Sequence, residues 1–138
     1  MAHILSMNVS DFGAKLDSIV NVTQKVGPKS ENCPNLQNDV DAVEKLMLIW
    51  DSQPQDGQNI NNNGIFDPVT GYGIYRTQQR LKSKWGKTSQ IVDGIVSPAK
   101  GVGYGGLSIY TIVMLNLLAK HHNPEGYEKF RRTFVCKG

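Results

Sequence analysis

Apolar residues fall at helical spacing over most of this chain, and the gaps between the periodic stretches are filled with Asn, Gly and Pro. Ser10 and Asp11 suit the start of a short first helix, with Phe12, Leu16, Ile19 and Val20 on one stripe. The branched residues Val20, Val22 and Val26 then favour extended chain up to Gly27-Pro28, and residues 27–37 read as loop. Asn38 is positioned to cap a helix over 39–50, in which Asp39 and Asp41 meet the positive end of the dipole and Val40, Val43, Leu46, Met47 and Trp50 share a face.

Residues 51–66 carry Pro54, Gly57, Gly64 and the run Asn61-Asn62-Asn63, and predict a long polar loop. Asp67-Pro68 reopens helix with an acidic cap and proline at the first position, where its missing N–H is no loss. The pattern continues to Trp85, with Gly86 as the stop. Ile74, Gln78, Leu81 and Trp85 lie on one face, so the Gln78 amide sits inside an apolar stripe and needs polar partners from the loops. After Asp93-Gly94 and a glycine-rich segment, Ser108 is placed to cap a helix that is apolar nearly all round, which predicts Leu107–Ala119 as the centre of the core. Asn123-Pro124 starts a last helix, to about residue 136, with Tyr127, Phe130 and Phe134 opposite Lys129, Arg131 and Arg132. The expected fold class is all-α: a small orthogonal helical bundle with long loops and extra N- and C-terminal helices.

Composition narrows the function. A chain of 138 residues with 39% hydrophobic and 20% charged residues suits one domain around one core, and excludes a multidomain enzyme. The longest apolar stretch, 107–119, is shorter than the ~18 residues of a membrane span, and Met1 to Val20 lacks the basic start and apolar run of a secretory signal. Cys33 and Cys136 are too few for a zinc site or a disulfide framework; they can form one bridge or remain free thiols. Charge is polarised, with four basic against nine acidic residues before position 76 and eleven against three from position 76 onward. The second half therefore attracts anionic partners, or simply presents a solvated face.

The chemistry of catalysis is thinly represented, and the chain is expected not to be an enzyme and to need neither cofactor nor metal. His121-His122 at a helix end suits the dipole and has no acidic or thiol partner at ligand spacing. Gly101-Val102-Gly103-Tyr104-Gly105-Gly106 lacks the Lys-Ser/Thr ending of a phosphate loop. Nucleic-acid binding is not the expected use of the basic half, because no recognition helix or aromatic RNA motif accompanies it.

Three pieces of the chain carry a resemblance. Asp39-Val40 leads to Val43 and Leu46; Asn63-Gly64-Ile65-Phe66-Asp67-Pro68-Val69-Thr70 leads to Gly73-Ile74 and Gln78; and the phrase returns as Asp93-Gly94-Ile95-Val96-Ser97-Pro98 before Thr111 and Leu115-Asn116. Over about residues 26–118 this resembles the peptidoglycan-binding-like three-helix domain, a module often attached to cell-wall hydrolases. Asp67 and Ser97 replace the family's glycine and Thr77 its phenylalanine, and an insertion at 99–106 precedes the third helix. Residues 1–26 are then an N-terminal extension and 123–136 an added C-terminal helix. In each loop the Asn-Gly or Asp-Gly pair makes the turn, the apolar residue that follows is expected to anchor the loop in the core, and proline launches the next helix.

The resemblance implies non-catalytic binding of bacterial peptidoglycan, through its stem peptide or glycan, in the periplasm, cell envelope or outside the cell. A polar, stacking site is offered by Asn62, Asn63, Tyr72, Tyr75, Arg76 and Tyr104, with Asp67, Pro68, Gln78, Asp93, Gly94 and Asn116 as its structural support. The alternative is an adaptor that uses the same fold to bind a protein, such as a wall hydrolase or a component of a secretion system.

Overall fold

The computed structural model describes residues 2–51, 59–87, 90–99 and 110–135. Among these residues the order is a hairpin, a short 3-10 turn (Lys29–Glu31) and four α-helices: β1 (His3–Asp11), β2 (Ala14–Asn21), α1 (Gln37–Trp50), α2 (Pro68–Ser83), α3 (Thr111–His122) and α4 (Pro124–Val135). The fold is mixed α/β, which overturns the all-α expectation.

The correction lies in the first 21 residues. Phe12, Leu16, Ile19 and Val20 do fit a helical stripe, but Met7, Val9, Ala14 and Leu16 also alternate with exposed Asn8, Ser10 and Lys15, and this period of two prevails. Asp11 pairs with Ala14, leaving Phe12-Gly13 as a two-residue turn with φ of 54° and 77°. Left-handed φ at both positions matches the twist of the strands they join. The Asp11 carboxylate accepts the Phe12 N–H at 2.8 Å, holding the turn. An irregular register between Ser6 and Val9 breaks the alternation in β1 and hides the strand from a periodicity reading.

Helix α1 also starts differently from its expected cap. It begins at Gln37 after Leu36, and no side chain among the described residues caps it. Asp39 is fully buried and its two oxygens accept the N–H groups of Thr23 and Gln24, at 3.0 and 2.9 Å, so it secures the chain leaving β2. Helix α2 starts as its sequence dictates, with Asp67 accepting the Thr70 N–H at 2.8 Å and Pro68 at the first position. It ends at Ser83, two residues before the expected Trp85.

Helix α3 is the centre of the molecule: residues 111–119 are all buried, and it packs on β2, α1 and α4. Its described start is Thr111; the expected cap at Ser108 and the start at Leu107 lie outside the described residues. Asn116 is buried in this apolar helix because it completes the sheet. Its oxygen accepts the Val20 N–H and its amide donates to the Val20 carbonyl, both at 2.9 Å, as a neighbouring strand would. Tyr127 of α4 donates its hydroxyl to the same oxygen at 2.6 Å. Burial holds the Tyr127 hydroxyl well above the ordinary tyrosine range, so it acts as a neutral donor.

The same device recurs where the chain is irregular. Asn21 pairs with both backbone groups of Ala99, at 2.9 Å each, and Asn35 with both of Gly27, at 2.9 and 2.8 Å. A short two-way backbone bridge, Val26 with Val96, ties the connection between β2 and α1 to the one between α2 and α3. Amide side chains thus satisfy the buried backbone polar groups that a two-stranded sheet leaves over.

Candidate functional site

The two Xaa-Gly loops are built alike, each from a buried polar side chain on the helix before it. Glu44, fully buried on α1, accepts the N–H groups of Asn63 and Gly64 with one oxygen, at 3.2 and 2.8 Å, and the Thr70 hydroxyl with the other, at 2.8 Å. Gln78, 1% exposed on α2, accepts the N–H groups of Asp93 and Gly94 at 3.1 and 2.8 Å, and its amide donates to the Ile95 carbonyl, the Asp93 carboxylate and the Thr111 hydroxyl. Asn63 and Asp93 each then accept the N–H two residues on, from Ile65 and Ile95, at 3.0 Å.

The anchor is therefore polar. Ile65, expected to fix its loop in the core, is 61% exposed, and Phe66 behind it is the half-buried residue, against Gly71. Burial pushes the Glu44 carboxyl up from its ordinary range, against the hydrogen bonds from Gly64, Thr70 and Asn63. Asp67 is shifted the other way: burial would raise it, but its bonds from Thr70 and Asn61 prevail and lower it.

Around these loops the candidate ligand contacts separate. Asn63 is committed to its turn, Asn62 accepts from Lys45 at 3.3 Å, and Arg76 pairs with Asp51 at 3.1 Å. Tyr104 lies outside the described residues, as do Cys136 and the glycine run 101–106; Cys33 is a buried thiol raised by its burial. Tyr72 and Tyr75 remain, each 42% exposed, one turn apart on α2. Tyr75 opens onto a shallow concavity of about 500 Å³ formed with Gln79, Arg80, Lys82, Ser83 and Val92. No ion pair engages Arg80 or Lys82 among the described residues, whereas Arg76, the cation expected here, faces Asp51. In the sequence Arg80 and Lys82 read as complements to the helix dipole; that role leaves their charges available to solvent.

His121 and His122 end α3 within an aromatic group. The His122 ring lies 6.0 Å from Trp50, the His121 ring 6.1 Å from Trp85, and Trp85 meets Phe12 of the hairpin turn at 4.9 Å. Burial, then the neighbouring His121 and Lys84, lower the His122 imidazole, with Asp51 opposing. Among the described residues no three metal-ligating side chains converge. No protein-family model, curated protein or solved structure matches the chain.

Proposed function

We propose that the protein is a non-catalytic binding module for bacterial peptidoglycan in the cell envelope, and that its contact surface is the outward face of α2. The observation that carries this reading is the pair of exposed rings, Tyr72 and Tyr75, beside a concavity that offers an amide, a hydroxyl and two cations without an ion-pair partner among the described residues. Sugar faces stack on aromatic rings, glycan hydroxyls pair with amides, and stem-peptide carboxylates seek Arg and Lys. A wall hydrolase is the partner that such a module would serve.

Sedimentation with purified sacculi tests it. The wild type should be retained several-fold better than Tyr72→Ala/Tyr75→Ala, a variant whose changes lie on exposed rings and whose folding is checked by circular dichroism. Equal retention of a folded double variant would end the wall-binding reading and leave the adaptor role in its place.

A further inference from the structure

Across the segment 90–95 from that concavity lies a second, smaller cleft of about 170 Å³, lined by Gln78 of α2 and by the start of α3. Val92 lines the first, and Ile91, Asp93 and Ile95 the second. Gln90 is 3% exposed and lines this cleft. Its amide nitrogen donates to the Ile91 carbonyl at 2.8 Å and the Thr111 hydroxyl at 3.2 Å, which fixes the orientation of the group and leaves Oε1 buried without a hydrogen-bond partner among the described residues. A buried carbonyl oxygen left this way is costly unless a bound molecule satisfies it. Asp93 uses Oδ1 for the Gln78 amide and the Ile95 N–H, and its second oxygen is bonded to no described residue. The Ser97 hydroxyl completes the polar wall, while Ile91 and Ile95 supply the apolar one.

We infer that this cleft is a subsite for a primary alkylammonium group. An unpartnered amide oxygen, a carboxylate and a hydroxyl all accept, so the ligand must bring several donors and welcome a negative neighbour. An ammonium has three N–H donors and a positive charge; a sugar hydroxyl has one donor and no charge, and an anion is repelled. The space admits the ammonium and a short methylene stem against the isoleucines. The source of that amine rests on the proposed wall-binding function: the side-chain amine of a diamino acid in a stem peptide, whose carboxylates would reach Arg80 and Lys82 across the segment.

Titration of the full chain with n-butylammonium chloride, followed by ¹⁵N–¹H correlation NMR, tests the subsite against sodium chloride and 1-butanol as controls. The Gln90 side-chain amide and the Gly94 and Ile95 backbone signals should shift saturably with butylammonium alone. Asp93→Asn keeps an oxygen for Gln78 and Ile95 but removes the charge, and should weaken binding about fivefold or more; Gln90→Met should weaken it while leaving the spectrum folded. Equal shifts with butanol, or titrations that neither folded variant alters, would overturn the inference and leave water as the partner of Gln90. Sacculi whose free amines have been acetylated should retain the protein several-fold less than untreated sacculi. Equal retention on both refutes the stem-peptide source. Failure to bind either, with butylammonium still bound, refutes the wall-binding function and assigns the subsite to a soluble amine.

Discussion

Glu44 and Gln78 hold equivalent places in successive helix-loop-helix units: each is buried, each accepts two N–H groups of an Xaa-Gly turn with one oxygen, and each reaches a threonine hydroxyl in the following helix with its other end. One is an acid and the other an amide, so the pair tests whether the charge has any structural purpose.

Glu44→Gln should therefore fold, with its new amide donating to Thr70, whose hydroxyl turns to Asp67 as it already can at 3.0 Å. Because burial raises the Glu44 carboxyl in the folded state, the folded protein holds its proton more tightly than the unfolded chain. The wild type must then lose stability as pH rises from about the ordinary value of 4.5 through the raised one, and keep the full contribution below it. Urea unfolding at pH 4.5 and 7 should show Glu44→Gln gaining on the wild type at the higher pH. Gln78→Leu, by contrast, strands the Asp93 and Gly94 N–H groups and should cost ~1–3 kcal/mol at both.

The two turn glycines should differ in tolerance. Gly64 and Gly94 share a φ of 74°, a conformation that costs an L-residue about 1–2 kcal/mol. A Cβ on Gly64 would also lie 2.7 and 2.8 Å from the Gln37 side chain and carbonyl, while one on Gly94 meets no described residue within 4 Å. Gly64→Ala should accordingly lose ~2–5 kcal/mol and Gly94→Ala only ~1–2, read from urea midpoints.

Helices α1, α2 and α4 were legible because each carries a one-sided apolar stripe, and α2 also announces itself through Asp67-Pro68. The hairpin was not. Its turn is Phe12-Gly13, without the Asn-Gly or Asp-Gly pair that normally marks left-handed φ at both positions, and its apolar residues satisfy both periods. Asp39 was visible as an acid in a first helical turn, but its partners, Thr23 and Gln24, come from a loop that no local pattern ties to it. Tyr72 and Tyr75 could be singled out as rings beside a cation and a polar loop; that Arg76 faces Asp51 while Arg80 and Lys82 have no ion-pair partner among the described residues depends on how the end of α1 meets α2.

The Asn116 junction should be the most sensitive polar site in the core. Tyr127→Phe removes one donor from an oxygen that still holds the Val20 N–H, and should cost ~1–2 kcal/mol. Asn116→Leu leaves both backbone groups of Val20 and the Tyr127 hydroxyl buried without partners, and should cost ~3 kcal/mol or more. The double variant should be less destabilised than the sum of the two, since Tyr127→Phe takes away the hydroxyl that Asn116→Leu would otherwise strand; a double-mutant cycle measures the difference.

Salt separates the two kinds of contact proposed for the α2 face. Attraction between Arg80 or Lys82 and wall carboxylates acts through solvent and is screened over about 8 Å at physiological ionic strength. Stacking on Tyr72 and Tyr75 buries apolar ring surface and does not depend on that screening. Arg80→Ala/Lys82→Ala should thus lower retention on sacculi several-fold at low salt and hardly at all at high salt, whereas Tyr72→Ala/Tyr75→Ala should lower it at every concentration. Since Arg76 is paired with Asp51, Arg76→Ala should act differently, freeing a partly buried carboxylate at the end of α1 and lowering stability more than low-salt retention. A salt series on the three variants, with urea midpoints measured alongside, distinguishes them; loss of the same fraction of binding from all three at all salts would mean that they fail through folding and not through contact.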